Sequence, residues 1–153
     1  MVRMARRARA GLVLFLVIFI GAHFVRPDRT NPATPPGHSL IAKAPPAVGS
    51  ILDRACRDCH SNETRWPWYT NVVPTSWMIA NHVHEGRDHF NYSLWSTYDE
   101  DEQDKFLAGM CSLPKRGRMP LPSYLVLHHE ATLSAADVAT LCGWSEKMRD
   151  MLQ

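Results

Sequence analysis

The 153-residue chain has no surplus of positive charge outside its N-terminal end. Residues 1–29 contain six arginines and one aspartate, whereas residues 30–153 contain eleven basic and fourteen acidic side chains, a net charge of −3. The formal charge of +2 for the whole chain therefore comes from its first 29 residues. A nucleic-acid-binding domain is expected to carry a basic patch on its folded part. The charge distribution thus argues against a nucleic-acid partner.

The chain also lacks an apolar run of the usual transmembrane length. Residues 10–22 are apolar and follow four arginines without an acidic residue. Because a spanning helix needs about 17 to 25 apolar residues, the run suits either a signal peptide or a short anchor. No small-x-small cleavage site follows it, which favours an uncleaved anchor. Residues 1–26 are therefore predicted to form a basic region and one transmembrane helix of the inner membrane, with a cytoplasmic N-terminus and a periplasmic remainder.

Residues 27–46 lack both helical and strand periodicity. Six of these twenty residues are proline, which is typical of a linker. The remaining residues 47–153 are enough for one small domain. On the predicted topology that domain lies in an oxidising compartment.

The domain of residues 47–153 is predicted to be all-α. Its first helix carries an apolar stripe at helical spacing, formed by Val48, Ile51, Leu52, Ala55, Cys56 and Cys59. Three further helices are predicted: one over residues 76–85 that Gly86 ends, one after a Thr97–Glu100 capping box, and one after a Ser134–Asp137 capping box. The last helix is expected to pack across the first.

The strongest chemical signal is the run Cys56-Arg57-Asp58-Cys59-His60. In a Cys-x-x-Cys-His motif two thiols on one helical turn add to the two haem vinyl groups, and the adjacent imidazole binds the iron. Cys56 and Cys59 are therefore candidate attachment residues for one covalent haem c, with His60 as an axial ligand of its iron.

Three other interpretations of the motif stay open. A zinc site would need two more ligands, which His82 and His84 offer at an unusually tight spacing. A thioredoxin-like dithiol needs a βαβ pattern, which the sequence does not show. The third interpretation is a pair of buried or disulfide-linked cysteines beside an incidental histidine.

Met119 is the candidate second ligand of the iron. A methionine thioether commonly completes haem coordination in low-spin cytochromes. Gly117 and Pro120 bracket Met119 in a loop downstream of the attachment motif, which suits delivery of its side chain from the other haem face. The alternatives are a methionine that fills the core, or a histidine ligand from among His82, His84 and His89.

Cys111 and Cys142 are the two cysteines outside the motif. Both fall on the predicted inner faces of different helices. In an oxidising compartment they are expected to form a disulfide, and two buried free thiols are the alternative.

Several ordered motifs resemble one bacterial family. They are Cys56–Thr64, Trp66-Pro67-Trp68-Tyr69, Pro74-Thr75-Ser76-Trp77, His82-Val83-x-Glu85-Gly86-Arg87, Asn91-Tyr92-Ser93-x-Trp95 and Met119-Pro120. Over residues 45 to 150, and at Arg26 to Pro32, the chain resembles the bacterial haem-binding domain family of cytochrome c-like proteins. The resemblance implies an all-α cytochrome c-like fold, one haem on Cys56 and Cys59 with His60 as axial ligand, and Met119 as the natural second ligand.

The function expected from the sequence is one-electron transfer by a membrane-anchored mono-haem cytochrome, not catalysis, and no catalytic residue is predicted. Its expected partners are periplasmic or membrane redox proteins. The alternative is a peroxidase-like haem enzyme with an open distal position and a proton-handling histidine. A zinc-binding module is the third possibility.

Overall fold

Helices form the regular structure of the chain. The computed structural model describes residues 2–152. It contains α1 Val2–Ala22, α2 Pro46–Ala55, α3 Arg57–His60, α4 Thr75–His89, α5 Glu100–Lys115, α6 Pro122–Leu125 and α7 Ala135–Asp150. Four short 3-10 segments lie between them, and residues 2–152 contain no β-strand. The predicted all-α fold is confirmed for the described part of the chain.

The helices belong to two units. The first unit combines residues 2–29 with Trp66–His82, and the second combines Thr30–Arg65 with residues 83–152. Helix α4 contributes its first half to the first unit and its second half to the second.

Helix α1 presents its apolar side chains to the outside. Leu14, Phe15, Val17 and Ile18 are each 61% exposed. Within residues 2–152, no helix combines the length and the apolarity needed to cross a membrane. The segment predicted as a transmembrane helix is therefore helical, but the structure does not support its crossing a bilayer.

The core of the second unit consists of side chains from α2, α5 and α7 and from the turns between them. Leu52, Leu107 and Leu141 are almost inaccessible, and Trp95 and Trp144 pack in the same cluster. Helix α7 packs along α5 and also contacts α2, as expected for the last helix. Burying side chains of this size supplies most of the driving force for folding.

Helices α5 and α7 each begin with a capping box. Helix α7 begins at the predicted box: the Ser134 hydroxyl accepts from the Asp137 amide, and the Asp137 carboxylate accepts from the Ser134 amide. The hydrogen bonds from Ser134 and the ion pair with Arg54 lower the pKa of Asp137 to about 2. The box predicted at Thr97 and Glu100 is wrong, because Asp99 and Glu102 form it two residues later.

A disulfide joins α5 to α7. Cys111 and Cys142 are bonded, with their Cα atoms 4.5 Å apart. Two polar contacts reinforce the pair: the Ser145 hydroxyl donates to the Leu107 carbonyl at 2.5 Å, and Arg149 donates twice to Asp104 at 2.7 and 3.1 Å. The predicted pairing of Cys111 with Cys142 is confirmed.

The segment predicted as a linker is mostly irregular. Between residues 27 and 45 its regular structure is the 3-10 turn Ile41–Lys43. Leu40 nevertheless lies in the core of the second unit, and its amide donates to the Tyr92 carbonyl at 2.8 Å. The end of this segment is therefore packed, while domain boundaries at residues 26 and 46 stay a prediction.

Candidate functional site

The Cys-x-x-Cys-His motif folds as a helical turn that continues α2 after a break. Cys56 has φ −126° and ψ −28°, which interrupts the helix predicted to run unbroken to Cys59. Its amide still donates to the Leu52 carbonyl, and its carbonyl accepts from the His60 amide, both at 3.0 Å. Cys56, Cys59 and His60 therefore share one turn, as covalent haem attachment requires.

Both thiols of the motif are free and half-buried. Cys56 packs against the hydrophobic core of the second unit. Burial raises the pKa of the Cys56 thiol to about 12 and that of the Cys59 thiol to about 11. At neutral pH both sulfurs are thus protonated and uncharged.

The imidazole of His60 is oriented by a backbone carbonyl. Its Nδ1 lies 3.0 Å from the Phe90 carbonyl oxygen, so Nδ1 carries the proton and donates it. In this tautomer the other ring nitrogen, Nε2, has a lone pair. The backbone of Gly86 also hydrogen-bonds to the ring. Burial lowers the pKa of His60, which favours the neutral imidazole that metals bind. A histidine held in this way is pre-oriented as a haem ligand.

Helix α4 lies close to the motif at Gly86. A Cβ atom added there would lie 2.5 Å from the Cys59 carbonyl oxygen and 3.1 Å from the Cys59 Cβ. The prediction that Gly86 ends the helix is wrong, because α4 continues to His89. The missing side chain instead allows the backbone of α4 to contact the turn formed by residues 56–60. This turn is called the attachment turn below, after the haem attachment that its motif predicts.

Buried polar side chains fix the chain segment that follows the motif. Asn62 is 4% exposed and its amide donates to the Ser93 hydroxyl at 3.0 Å. Asn91 donates to the Asn62 side-chain oxygen at 2.7 Å and accepts from the Ser93 amide at 3.0 Å. These bonds join two of the motifs on which the resemblance rests. Their polar residues therefore hold the turn after α4, and with it the Phe90 carbonyl, beside the attachment turn.

Met119 lies in the loop between α5 and α6. The residue is half-buried, and Gly117 two positions earlier has φ +65°, a conformation that favours glycine. Met119 is thus in an irregular, glycine-containing loop, as predicted. Its role as an iron ligand stays a prediction.

The three histidines considered as alternative ligands belong to α4. His84 is exposed and lies 3.6 Å from the Asp88 carboxylate, and the His89 ring bonds to the Glu85 carbonyl at 2.9 Å. His82 is half-buried. Across residues 2–152, no three or more His, Cys, Asp and Glu side chains form a group that could hold a metal ion. The zinc interpretation therefore lacks an assembled ligand set in the described residues.

Asp58, inside the motif, is a residue whose role the sequence did not indicate. It is 8% exposed, and its carboxylate accepts hydrogen bonds from Arg65 and Tyr124. Periodicity placed Asp58 on the outer side of the first helix. The break at Cys56 turns α3 so that this carboxylate is buried.

Comparison with known proteins agrees with this geometry. Neither the curated proteins nor the solved structures give a match to the chain. A family described as "Haem-binding domain" matches residues 17–147, which include the attachment turn, the Phe90 carbonyl and the Met119 loop. The chain therefore belongs to the haem-binding domain family.

Proposed function

We propose that the chain is a mono-haem c-type cytochrome that transfers single electrons. The observation that carries this proposal is the environment of His60. Its Nδ1 is held by the Phe90 carbonyl at 3.0 Å, and the ring follows two free thiols on the same turn. This donor set fits the haem that the family binds.

Each residue of the site has a distinct task in this proposal. Cys56 and Cys59 would hold the haem through thioether bonds, and His60 would supply a nitrogen ligand to its iron. Met119 would supply a thioether ligand, which would stabilise the ferrous state. When bound, the haem provides an iron that changes between the ferric and ferrous states. The protein contributes ligand identity, a dry environment and fixed orientation.

The test is absorption spectroscopy of the full chain produced alongside a haem-attachment system. We expect a pyridine haemochrome typical of two saturated vinyl groups, and a methionine-to-iron charge-transfer band in the ferric protein. Met119→Ala should remove that band, because the thioether is lost, while covalent haem content stays within about twofold of the wild type. Met151→Ala is the matched control, since Met151 is 70% exposed.

The outcomes separate the parts of this proposal. A Met119→Ala protein that kept the band would disprove ligation by Met119. High-spin iron that binds peroxide in the wild-type protein would instead support the peroxidase-like alternative. A colourless wild-type protein would contradict covalent haem altogether, and Cys56→Ser with Cys59→Ser should reproduce that colourless state.

We also propose that the chain is attached to the inner membrane through α1, with the haem-binding part in the periplasm and redox proteins there as partners. Two observations support this. The apolar side chains of α1 are exposed, and the Cys111–Cys142 disulfide suits an oxidising compartment. The apolar run of thirteen residues is about 20 Å long as a helix, less than the roughly 30 Å hydrocarbon core. Bilayer thinning and the long arginine side chains at both ends would compensate.

Membrane fractionation tests the attachment. The full chain is expected in the membrane fraction after a carbonate wash, whereas a chain in which Leu14, Phe15, Val17 and Ile18 are replaced by serine should be released. Recovery of the full chain in the soluble fraction would disprove the attachment. A disulfide trapped at Cys111 and Cys142 in cells would support the periplasmic location, and two reduced thiols would oppose it.

A further inference from the structure

The carboxylate of Asp58 connects the attachment turn to a distant part of the chain. Its Oδ1 accepts from the amide and the Nε of Arg65, each at 3.1 Å, and its Oδ2 accepts from the Tyr124 hydroxyl at 2.7 Å. Both oxygens of this 8%-exposed side chain are thus satisfied by the protein. Hydrogen bonds to a buried carboxylate are stronger than neutral ones.

Tyr124 belongs to the short helix α6, five residues after Met119. Its ring stacks on the His128 ring, with centroids 4.0 Å apart and planes 9° apart. His128 in turn lies 3.1 Å from the Glu130 carboxylate. The phenol is thereby packed against the segment after α6, and its hydroxyl reaches Asp58, 66 residues earlier in the chain.

The hydroxyl of Tyr124 is suited to this donor role over the whole pH range of a cell. Burial and the hydrogen bond to Asp58 raise the pKa of the Tyr124 phenol. Arg65 keeps its guanidinium on the same carboxylate at 3.1 Å and donates to the Asp53 carbonyl at 2.9 Å. The acceptor therefore lies on the turn of the motif, while the donor comes from α6, which directly follows the Met119 loop.

We propose that Tyr124 is a positioning residue that closes the Met119 loop onto the haem attachment turn through its hydrogen bond to Asp58. This inference rests on the proposed function, because it takes Met119 as the second axial ligand. A closed loop would hold Met119 where its thioether could bind the haem iron, and an open loop would leave that position to competing ligands. Asp58 would thus help to position Met119 although it lies between the two cysteines of the motif.

The experiment titrates the ferric, haem-loaded full chain with imidazole, which competes with a methionine ligand. Tyr124→Phe removes the hydroxyl and keeps the ring. We expect it to bind imidazole about tenfold more tightly than the wild type and to weaken the methionine-to-iron band, with covalent haem content unchanged. Amide hydrogen exchange of residues 117–128 should become faster, which is a readout that does not depend on the haem spectrum.

Tyr98→Phe is the matched control. Tyr98 is also a half-buried tyrosine, and its hydroxyl accepts from the Asn91 amide at 3.0 Å, away from the Met119 loop. It should leave hydrogen exchange of residues 117–128 unchanged. Asp58→Asn, Tyr124→Phe and the double variant form a double-mutant cycle. The imidazole affinity of the double variant should equal that of the single variant with the larger effect.

Three outcomes would overturn the inference. Wild-type imidazole affinity and exchange in Tyr124→Phe would show that the hydroxyl does not hold the loop. Strictly additive effects of Asp58→Asn and Tyr124→Phe would show that the two residues act separately, and loss of covalent haem in Tyr124→Phe would assign the hydroxyl to attachment. Failure of the proposed function looks different, because Met119→Ala would then have the imidazole affinity and spectrum of the wild type.

Discussion

Replacement of Gly86 by alanine is expected to lower the free energy of unfolding by about 3 kcal/mol and to reduce the yield of haem-loaded protein several-fold. The added Cβ would lie 2.5 Å from the Cys59 carbonyl oxygen, a distance that forces α4 or the attachment turn to move. The displaced atoms belong to backbone, so a rotamer change cannot relieve the overlap. Movement of α4 away from Cys59 is also expected to displace the Phe90 carbonyl, which directly follows α4, from the His60 ring. Denaturant unfolding and haem content per polypeptide measure the two effects.

Gly143 provides the matched control for this substitution. It lies in the interior of α7, and nothing lies within 4 Å of an added Cβ. Gly143→Ala is therefore expected to raise the free energy of unfolding by up to about 1 kcal/mol, since alanine is the better helix former. If Gly86→Ala unfolded at the same denaturant concentration as the wild type and carried a full complement of haem, close packing of α4 on Cys59 would be disproved.

Gly86 also shows why a local rule failed in this chain. Glycine after an apolar-periodic segment commonly ends a helix, and residues 76–85 fit that pattern. The structure continues α4 to His89 because the reason for the glycine is tertiary, namely the backbone of Cys59. Sequence periodicity contains no information on which other segment will pack against a given residue.

The capping box of α5 failed for a different reason. The acidic run from Asp99 to Asp104 offers more than one pair of capping residues at the right spacing. Thr97 is excluded by the preceding 3-10 turn Tyr92–Thr97, in which its hydroxyl donates to the Leu94 carbonyl at 2.7 Å. At α7, Ser134 and Asp137 had no competing pair nearby, and the prediction is confirmed.

The candidate site also has one part that could be predicted from the sequence and one part that could not. The placing of Cys56, Cys59 and His60 on one turn was predictable, because the spacing of a Cys-x-x-Cys-His motif matches one turn of helix. The Phe90 carbonyl and the Tyr124 hydroxyl were not, because they lie 30 and 66 residues from their partners. A carbonyl has no sequence signature, and a tyrosine in a loop has many possible roles. The parts that orient the ligands therefore depend on the tertiary fold.

Loss of the Cys111–Cys142 disulfide is expected to cost about 3 kcal/mol of unfolding free energy, or about 10 °C in Tm. The bond closes a loop with a sequence separation of 31 residues, and the chain-entropy cost of that loop in the unfolded state sets the magnitude. Cys111→Ala with Cys142→Ala should keep α5 and α7 paired, because Ser145 still donates to Leu107 and Arg149 to Asp104. Thermal unfolding followed by circular dichroism measures the change.

Chemical reduction of the wild-type protein should reproduce the double variant, and this comparison separates the disulfide from the attachment site. A reductant opens the Cys111–Cys142 bond, whereas the thioether bonds proposed between haem and Cys56 and Cys59 would not be reducible. The reduced wild type and the double variant should therefore share one Tm, and both should keep their haem. An equal Tm before and after reduction would contradict a stabilising disulfide. Release of haem by the reductant would instead show that Cys56 and Cys59 do not hold it covalently. One experiment therefore tests both the contribution of the disulfide to stability and the covalent attachment of haem.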